Sequence, residues 1–259
     1  MKNESKKNIV VIGYPKSGTT WLSRLVAELL DCPLQGNWGF DNTISPLREG
    51  IDRISSYDCY KSHFLYEDLD RSQIFKIIYI IRDPRDVVIS GINFFGFSYD
   101  RLRRTNSKFS NYLVSQISKW AFPYSKKKKL MIDAILNGDE SVNEWLKYSW
   151  EYHLNSFRKA GVLLIKYEDL KQNTFDKSVE ILSYLGVEKS ESYINESIEN
   201  QSIEAKKSQY ANSNNIVLKK TVGLGKSDYW INEFENEEKL LFENRLGKEL
   251  KKLKYRNTN

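Results

Sequence analysis

Apolar residues along the chain come in two registers. Short runs at 9–12, 59–62, 76–81 and 162–166 have strand length and little polar alternation, which predicts strands buried on both faces of a parallel sheet. Stretches at 19–30, 84–93, 142–159, 175–185 and 237–252 place apolar residues every three or four positions, the spacing of one helix face. Pro84 suits a first helical turn, where its missing N–H is no loss, and Gly186 suits a helix stop. Alternating strands and helices predict a doubly wound α/β sheet with ligands outside the carboxyl ends of the strands. Polar stretches at 35–57, 97–139 and 200–220 read as long loops, a kind that often closes over a site.

Between the first strand and the first helix the chain reads Ile9-Val-Val-Ile-Gly-Tyr-Pro-Lys-Ser-Gly-Thr-Thr-Trp21. Such a turn aims unpaired backbone N–H groups and a helix N-terminus at one point, which suits a phosphate. Gly13 and Gly18 have the outer spacing of a Walker A loop, but Thr19 and Thr20 stand where that loop carries lysine and a magnesium-binding hydroxyl. The loop's lysine, Lys16, lies inside it, and Trp21 follows with a flat ring that can stack on a base. A ligand-free glycine turn would need none of these side chains. The pattern predicts a phosphate cradle that uses no metal.

A second cluster, Ile80-Ile-Arg82-Asp-Pro-Arg-Asp-Val-Val-Ile-Ser90, leaves the end of a predicted strand and enters a helix. Two helical turns can return Ser90 toward the strand end, so that Arg82 and Ser90 share one dianionic phosphate monoester. The competing reading is a structural ion pair of Arg82 with Asp83 or Asp86. Two phosphate sites together point to a nucleotide phosphorylated at both its 5′ and 3′ positions.

Length and charge narrow the field. The chain has 259 residues, 40% of them hydrophobic, and no composition break, as expected for one α/β domain. Residues 1–7 read as a disordered polar tail. A net charge of +6 suits a polyanionic ligand and leaves nucleic acid possible on charge alone. The Lys126–Lys129 run lacks interleaved aromatics and reads as a solvated loop. Cys32 and Cys59 are too few for a disulfide framework or a zinc site. The first apolar run is broken by Gly13 and Pro15 too soon for a signal peptide or membrane span. A soluble cytoplasmic protein is expected.

Tyr14-Pro-Lys-Ser-Gly-Thr-Thr-Trp21 with Arg82-Asp-Pro-Arg-Asp-Val-Val-Ile-Ser90 resembles the cytosolic sulfotransferase family. The likeness continues through Lys61-Ser-His63, Ile165-Lys-Tyr-Glu-Asp-Leu170 and the Gly223…Trp230…Phe234 tail. The resemblance implies a single domain with a parallel sheet of about five strands, related to nucleotide kinases. Its donor is 3′-phosphoadenosine 5′-phosphosulfate (PAPS), and adenosine 3′,5′-bisphosphate (PAP) is the product. Carried over position by position, Lys16, Ser17, Gly18, Thr19 and Thr20 hold the 5′-phosphosulfate, with Lys16 stabilising the leaving phosphate. Trp21 and Tyr167 contact the purine, and Arg82 and Ser90 take the 3′-phosphate. His63 is the base, and Lys61 lies near the transferred group. Taken alone, His63 would read as a half-buried histidine at a strand end, and His153, Trp145 and Trp150 read as structural.

The tail departs from the family. Where an Arg-Lys-Gly is usual, the chain reads Leu218-Lys-Lys-Thr-Val-Gly223, leaving Lys219 or Lys220 to complete the 3′-phosphate site as a point charge. The usual dimerisation motif is not recognisable in 231–240, so a monomer or a homodimer is expected. The expected reaction is direct in-line sulfuryl transfer to a hydroxyl, with an amine second, of a small-molecule acceptor. No metal, nucleic acid or membrane partner is expected. The alternatives are an ATP-dependent P-loop phosphotransferase and a non-catalytic nucleotide- or nucleic-acid-binding domain. Loops at 35–57 and 94–139 are expected to shape the acceptor pocket, the second rich in aromatic and basic residues and the first carrying Asp41, Glu49 and Asp52, which leave a cationic acceptor open.

Overall fold

The structure, a computed structural model, describes residues 6–42, 45, 47–95, 123–211, 225 and 227–256. The described residues within Met1–Arg82 and Leu154–Gly225 form one compact unit, and those within Asp83–His153 and Lys226–Asn259 form a second.

The first unit holds a five-stranded parallel sheet in the order β2-β3-β1-β4-β5. The strands are β1 (Lys7–Gly13), β2 (Leu34–Asn37), β3 (Tyr57–Ser62), β4 (Ile74–Ile81) and β5 (Leu163–Lys166). β1 runs between β3 and β4, and residues 9–12 are fully buried, which explains why its sequence does not alternate. Ile9 and Val11 pack with Leu22, Leu25 and Leu29 of α1 (Thr19–Leu29). Each such side chain contributes roughly 1.5–3 kcal/mol on burial. Chain connections leave β1 toward β3 on one side, while β4 and β5 lie on the other. The carboxyl end of β1, at Gly13, is therefore the topological switch point where α/β sheets bind ligands.

Four of the five strands match the sequence pattern. β2 lies in a stretch read as loop, because four residues at a sheet edge carry no apolar run to betray them. β1 begins at Lys7, the last residue assigned to the polar tail, and Lys6 already pairs with Asp58 at 2.9 Å.

The second unit contains α2 (Pro84–Phe94), α3 (Tyr124–Asn137), the first residues of α4 (Trp150–Arg158), and, beyond the first unit's helices, α9 (Trp230–Glu233) and α10 (Asn236–Lys252). The first unit's later helices are α5 (Tyr167–Gln172), α6 (Thr174–Leu185), α7 (Glu191–Asn200) and α8 (Ile203–Ala211). Gly186 ends α6 in the left-handed region at φ 69°, as expected of a helix stop. The single helix expected over 142–159 is broken. Asn143 caps a short 3₁₀ turn at Glu144–Leu146, and α4 begins afresh at Trp150.

Lys126–Lys129 also corrects the sequence reading, since it lies in α3 and not in a solvated loop. Lys128 is buried, its ammonium paired with Glu238 at 2.8 Å and donating to the Glu233 carbonyl at 2.9 Å. A lysine stem tolerates burial when its charged end finds such partners. The stretch 200–220, read as loop, holds α8 up to Ala211. Residues 212–220 and 97–122 lie outside the described residues.

Candidate active site

Each sequence-predicted cradle residue lies where β1 turns into α1. Gly13 ends the strand, and a Cβ there would stand 2.7 Å from the Ile80 carbonyl oxygen of β4. Only glycine lets the neighbouring strand approach so closely. Lys16 has φ 71° and Gly18 φ 97°. A lysine held in the left-handed region costs of order 1 kcal/mol or more, strain that collects at functional turns. The Ser17 N–H donates to the Tyr14 carbonyl at 3.0 Å and closes the turn.

This loop fits an oxyanion. Gly18 caps α1 with no side-chain hydrogen bond, so the first helical N–H groups have no side-chain acceptor. Ser17 Oγ and Thr19 Oγ1 are buried without a hydrogen-bond partner. Buried hydroxyls are normally satisfied, and a phosphate oxygen is the acceptor both lack.

Around the cradle stand three cations. Lys16 is pushed down to about 7, first by burial and then by the positive charges of Lys61 and Arg82. Lys61, on β3, is pushed down to about 8 by burial and by Arg24. It donates to Thr20 Oγ1 at 3.3 Å. Arg82, just past β4, donates from Nη1 to the Lys16 carbonyl at 3.0 Å, and its guanidinium lies 4.5 Å from the centre of the Tyr167 ring. In the second unit, Arg85 Nη2 meets Asp83 at 2.6 Å. A crowd of partly desolvated cations favours a dianionic guest.

His63 follows β3, and its Nδ1 lies 2.7 Å from the carbonyl oxygen of Gly13. A carbonyl can only accept, so Nδ1 carries the proton and Nε2 of the neutral ring carries the lone pair. The same glycine that opens the cradle therefore fixes the tautomer of the histidine.

Trp21 and Tyr167 meet edge to face, 5.7 Å between ring centres. Tyr167 opens α5 at the end of β5 and is buried, its ring pressed against Gly18. Ser90 lies on α2 in the second unit, half-buried. Lys219 and Lys220 lie outside the described residues. His153 and Trp150 are buried in the second unit's helical segment, in keeping with structural roles.

Sequence reasoning did not single out an aromatic wall near the ends of β2 and β3. Phe40 stacks on Phe64 at 5.6 Å, and Trp38 meets Tyr60 at 4.9 Å. Trp38 and Phe40 follow β2 and Phe64 follows β3, while Tyr60 lies within β3. Trp38 and Phe40 sit in a segment without periodicity, which hid them.

The profile of the sulfotransferase domain matches residues 6–254. The chain belongs to the sulfotransferase family. As a sulfotransferase it is 23% identical to rat sulfotransferase 2A1 over 85% of its own length and 73% of the relative's. It is 27% identical to rat sulfotransferase 2A6, over 70% of its length and 60% of that relative's. It thus spans between about three-fifths and three-quarters of these relatives. The crystal structure of mouse sulfotransferase SULT7A1 complexed with PAP superposes with a TM-score of 0.65 at 22% identity, covering 94% of this chain and 84% of that one. The fold is therefore that of the P-loop-like sulfotransferases, and the chain is a transferase by family.

Proposed function

We propose that the protein moves the sulfuryl group of PAPS to a hydroxyl of a small-molecule acceptor, with PAP as the second product. The observation that carries this reading is the 2.7 Å contact between His63 Nδ1 and the Gly13 carbonyl, which ties a proton acceptor to a loop built for an oxyanion. Mouse SULT7A1 was crystallised with PAP, and the two buried hydroxyls of the cradle suit the 5′ end of that nucleotide.

His63 Nε2 takes the acceptor's proton while the acceptor oxygen attacks sulfur. The S–O bond to the 5′-phosphate breaks in line, and its electron pair leaves on the phosphate. Lys16 neutralises the charge that grows there, stabilisation concentrated in the transition state. Lys61, held against Thr20, supports the same anionic group. Ser17, Gly18, Thr19 and Thr20 orient the phosphosulfate, and Trp21 with Tyr167 offers rings to the purine. Arg82 and Ser90, with Lys219 or Lys220, take the 3′-phosphate. Nothing in this scheme calls for a metal. The aromatic wall of Trp38, Phe40 and Phe64 favours a flat, largely apolar acceptor. Two buried thiols, Cys32 and Cys59, are at home in the reducing cytoplasm.

The test is His63→Gln, assayed for sulfuryl transfer to a panel of phenols and alcohols alongside PAP affinity. Lost turnover with preserved PAP binding supports the base. Near-normal turnover removes it.

A further inference from the structure

β2 ends at Asn37, and past its carboxyl end the chain turns tightly over residues 37–42. One side chain closes that turn. Asn42 Oδ1 accepts the Asn37 N–H at 2.8 Å, while Asn42 Nδ2 donates to the Asn37 carbonyl at 2.7 Å and to the Phe40 carbonyl at 3.0 Å. A carbonyl only accepts, so these partners fix which end of the amide faces each group. The Asn42 side chain thus serves Asn37 as the peptide of a neighbouring strand would. Gly36, at φ 112°, makes room for it, since a Cβ there would collide with Asn42 Oδ1.

The turn carries two rings, and each meets a ring of the neighbouring β3 segment. The Trp38 N–H donates to the Lys61 carbonyl at 2.8 Å, which carries the β2–β3 pairing one residue further, and the Trp38 ring meets Tyr60 edge to face. Phe40 lies on Phe64 with only 9° between the ring planes. Gly39, at φ 80°, keeps the turn close, since a Cβ there would stand 3.1 Å from Cε2 of Phe64. Tyr60 and Phe64 bracket Lys61 and His63 in the chain. The turn is therefore anchored on both sides of the residues assigned to the transferred group and to proton removal. Phe40 is nonetheless 48% exposed. With its carbonyl held by Asn42 and its ring held by Phe64, it presents an apolar surface in a fixed plane, which suits a flat ring.

We propose that Asn42 is a positioning residue that sets acceptor specificity, fixing the Phe40 ring as a platform for planar, fused-ring hydroxyl acceptors of the bicyclic phenol class. The inference rests on the sulfuryl-transfer reading and adds to it the residue that selects the acceptor. Asn42 acts through the turn, by way of Phe40, and not on the reacting atoms. Without its side chain, the Asn37 and Phe40 backbone groups turn to water and Phe40 is free to leave Phe64. A planar acceptor then has to order its own platform, and the cost of that ordering is subtracted from its affinity.

The experiment measures 2-naphthol binding to the PAP-saturated full chain by calorimetry, and its turnover with PAPS, in Asn42→Ala, Phe40→Ala and the double variant. Asn42→Ala is expected to raise the Kd and KM for 2-naphthol about tenfold, while kcat at saturating acceptor and PAP affinity stay within about twofold. Because Asn42 acts through Phe40, the double variant is expected to bind 2-naphthol no more weakly than Phe40→Ala alone. If Asn42→Ala fails to fold, Asn42→Asp takes its place, since it keeps an acceptor for the Asn37 N–H and loses both donations. Unchanged 2-naphthol affinity in the Asn42 variant would overturn the proposal, as would additive losses in the double variant or no 2-naphthol binding by the unaltered protein. A matching loss of PAP affinity would also overturn it, by making Asn42 a general structural residue. Each of these leaves the donor reading standing, whereas failure of the unaltered protein to bind PAP would remove that reading and this one together.

Discussion

Arg82 Nη1 donates to the backbone carbonyl of Lys16 at 3.0 Å, so the first residue past β4 holds the strained residue of the β1–α1 loop. The same guanidinium lies over the ring of Tyr167. One side chain thereby links two strand ends and the proposed purine contact, work that a flexible ammonium cannot copy.

Arg82→Lys is therefore expected to weaken PAP strongly despite conserving charge. Losing a charge-assisted hydrogen bond costs about 1.5–3 kcal/mol, or roughly ten- to a hundredfold in affinity. Calorimetric titration with PAP and with AMP separates the causes. A larger loss for PAP supports a 3′-phosphate contact, and equal losses would refer the effect to the loop alone.

Proton linkage offers an independent check. Lys16 near 7 and Lys61 near 8 both lie below the ordinary lysine value, lowered mainly by burial. The folded protein then binds fewer protons than the unfolded chain between those values and about 10.4, so these two groups make stability rise with pH across that window. A bound dianion restores their charge. PAP binding should take up protons near about pH 7.5 and weaken as pH climbs from about 7 to about 9. Calorimetry in buffers of different ionisation enthalpy reads the uptake directly, and zero uptake would contradict it.

Gly18→Ala probes the cradle's backbone. At φ 97° an added Cβ would stand 2.6 Å from Cδ2 of Tyr167, whereas at Gly161, φ 65°, nothing lies within 4 Å. Gly18→Ala is expected to cost about 1–3 kcal/mol in urea unfolding, and Gly161→Ala about 1. Comparable losses at the two positions would show that the Tyr167 contact does not constrain the loop.

In the second unit, the Asp86 carboxylate accepts the N–H groups of Asp228 at 2.8 Å and Trp230 at 3.2 Å. Asp228 itself has φ 61°, and Arg85 lies 3.6 Å from the centre of the Trp230 ring. Asp86→Ala leaves these backbone donors without the carboxylate, at about 1–3 kcal/mol. Chemical unfolding measures it, and a loss below about 0.5 kcal/mol would mean the clasp is not structural.

Much of this was legible in the sequence because the signals are local. The loop Gly13–Trp21 and the Arg82 turn carry their chemistry in contiguous residues, and the buried strands announce themselves as apolar runs. What stayed hidden depends on distant partners. The 142–159 helix keeps its apolar spacing through a break at Asn143, whose side-chain oxygen accepts from the Trp145 N–H and starts a 3₁₀ turn instead. Lys128 looked solvated because its carboxylate partner, Glu238, lies 110 residues away. The tautomer of His63 could not be read without the carbonyl that fixes it.

The most direct test of the donor assignment is a thermal-shift comparison of PAP with AMP and with magnesium–ATP. Ligand at a hundred times its Kd stabilises by about 2.7 kcal/mol, which for a chain of this size raises Tm by roughly 5–10 °C. The expected result is a shift of that order with PAP and a much smaller one with AMP or magnesium–ATP. Equal or greater stabilisation by magnesium–ATP, or none by PAP, would contradict a cradle built for 3′-phosphoadenosine 5′-phosphosulfate.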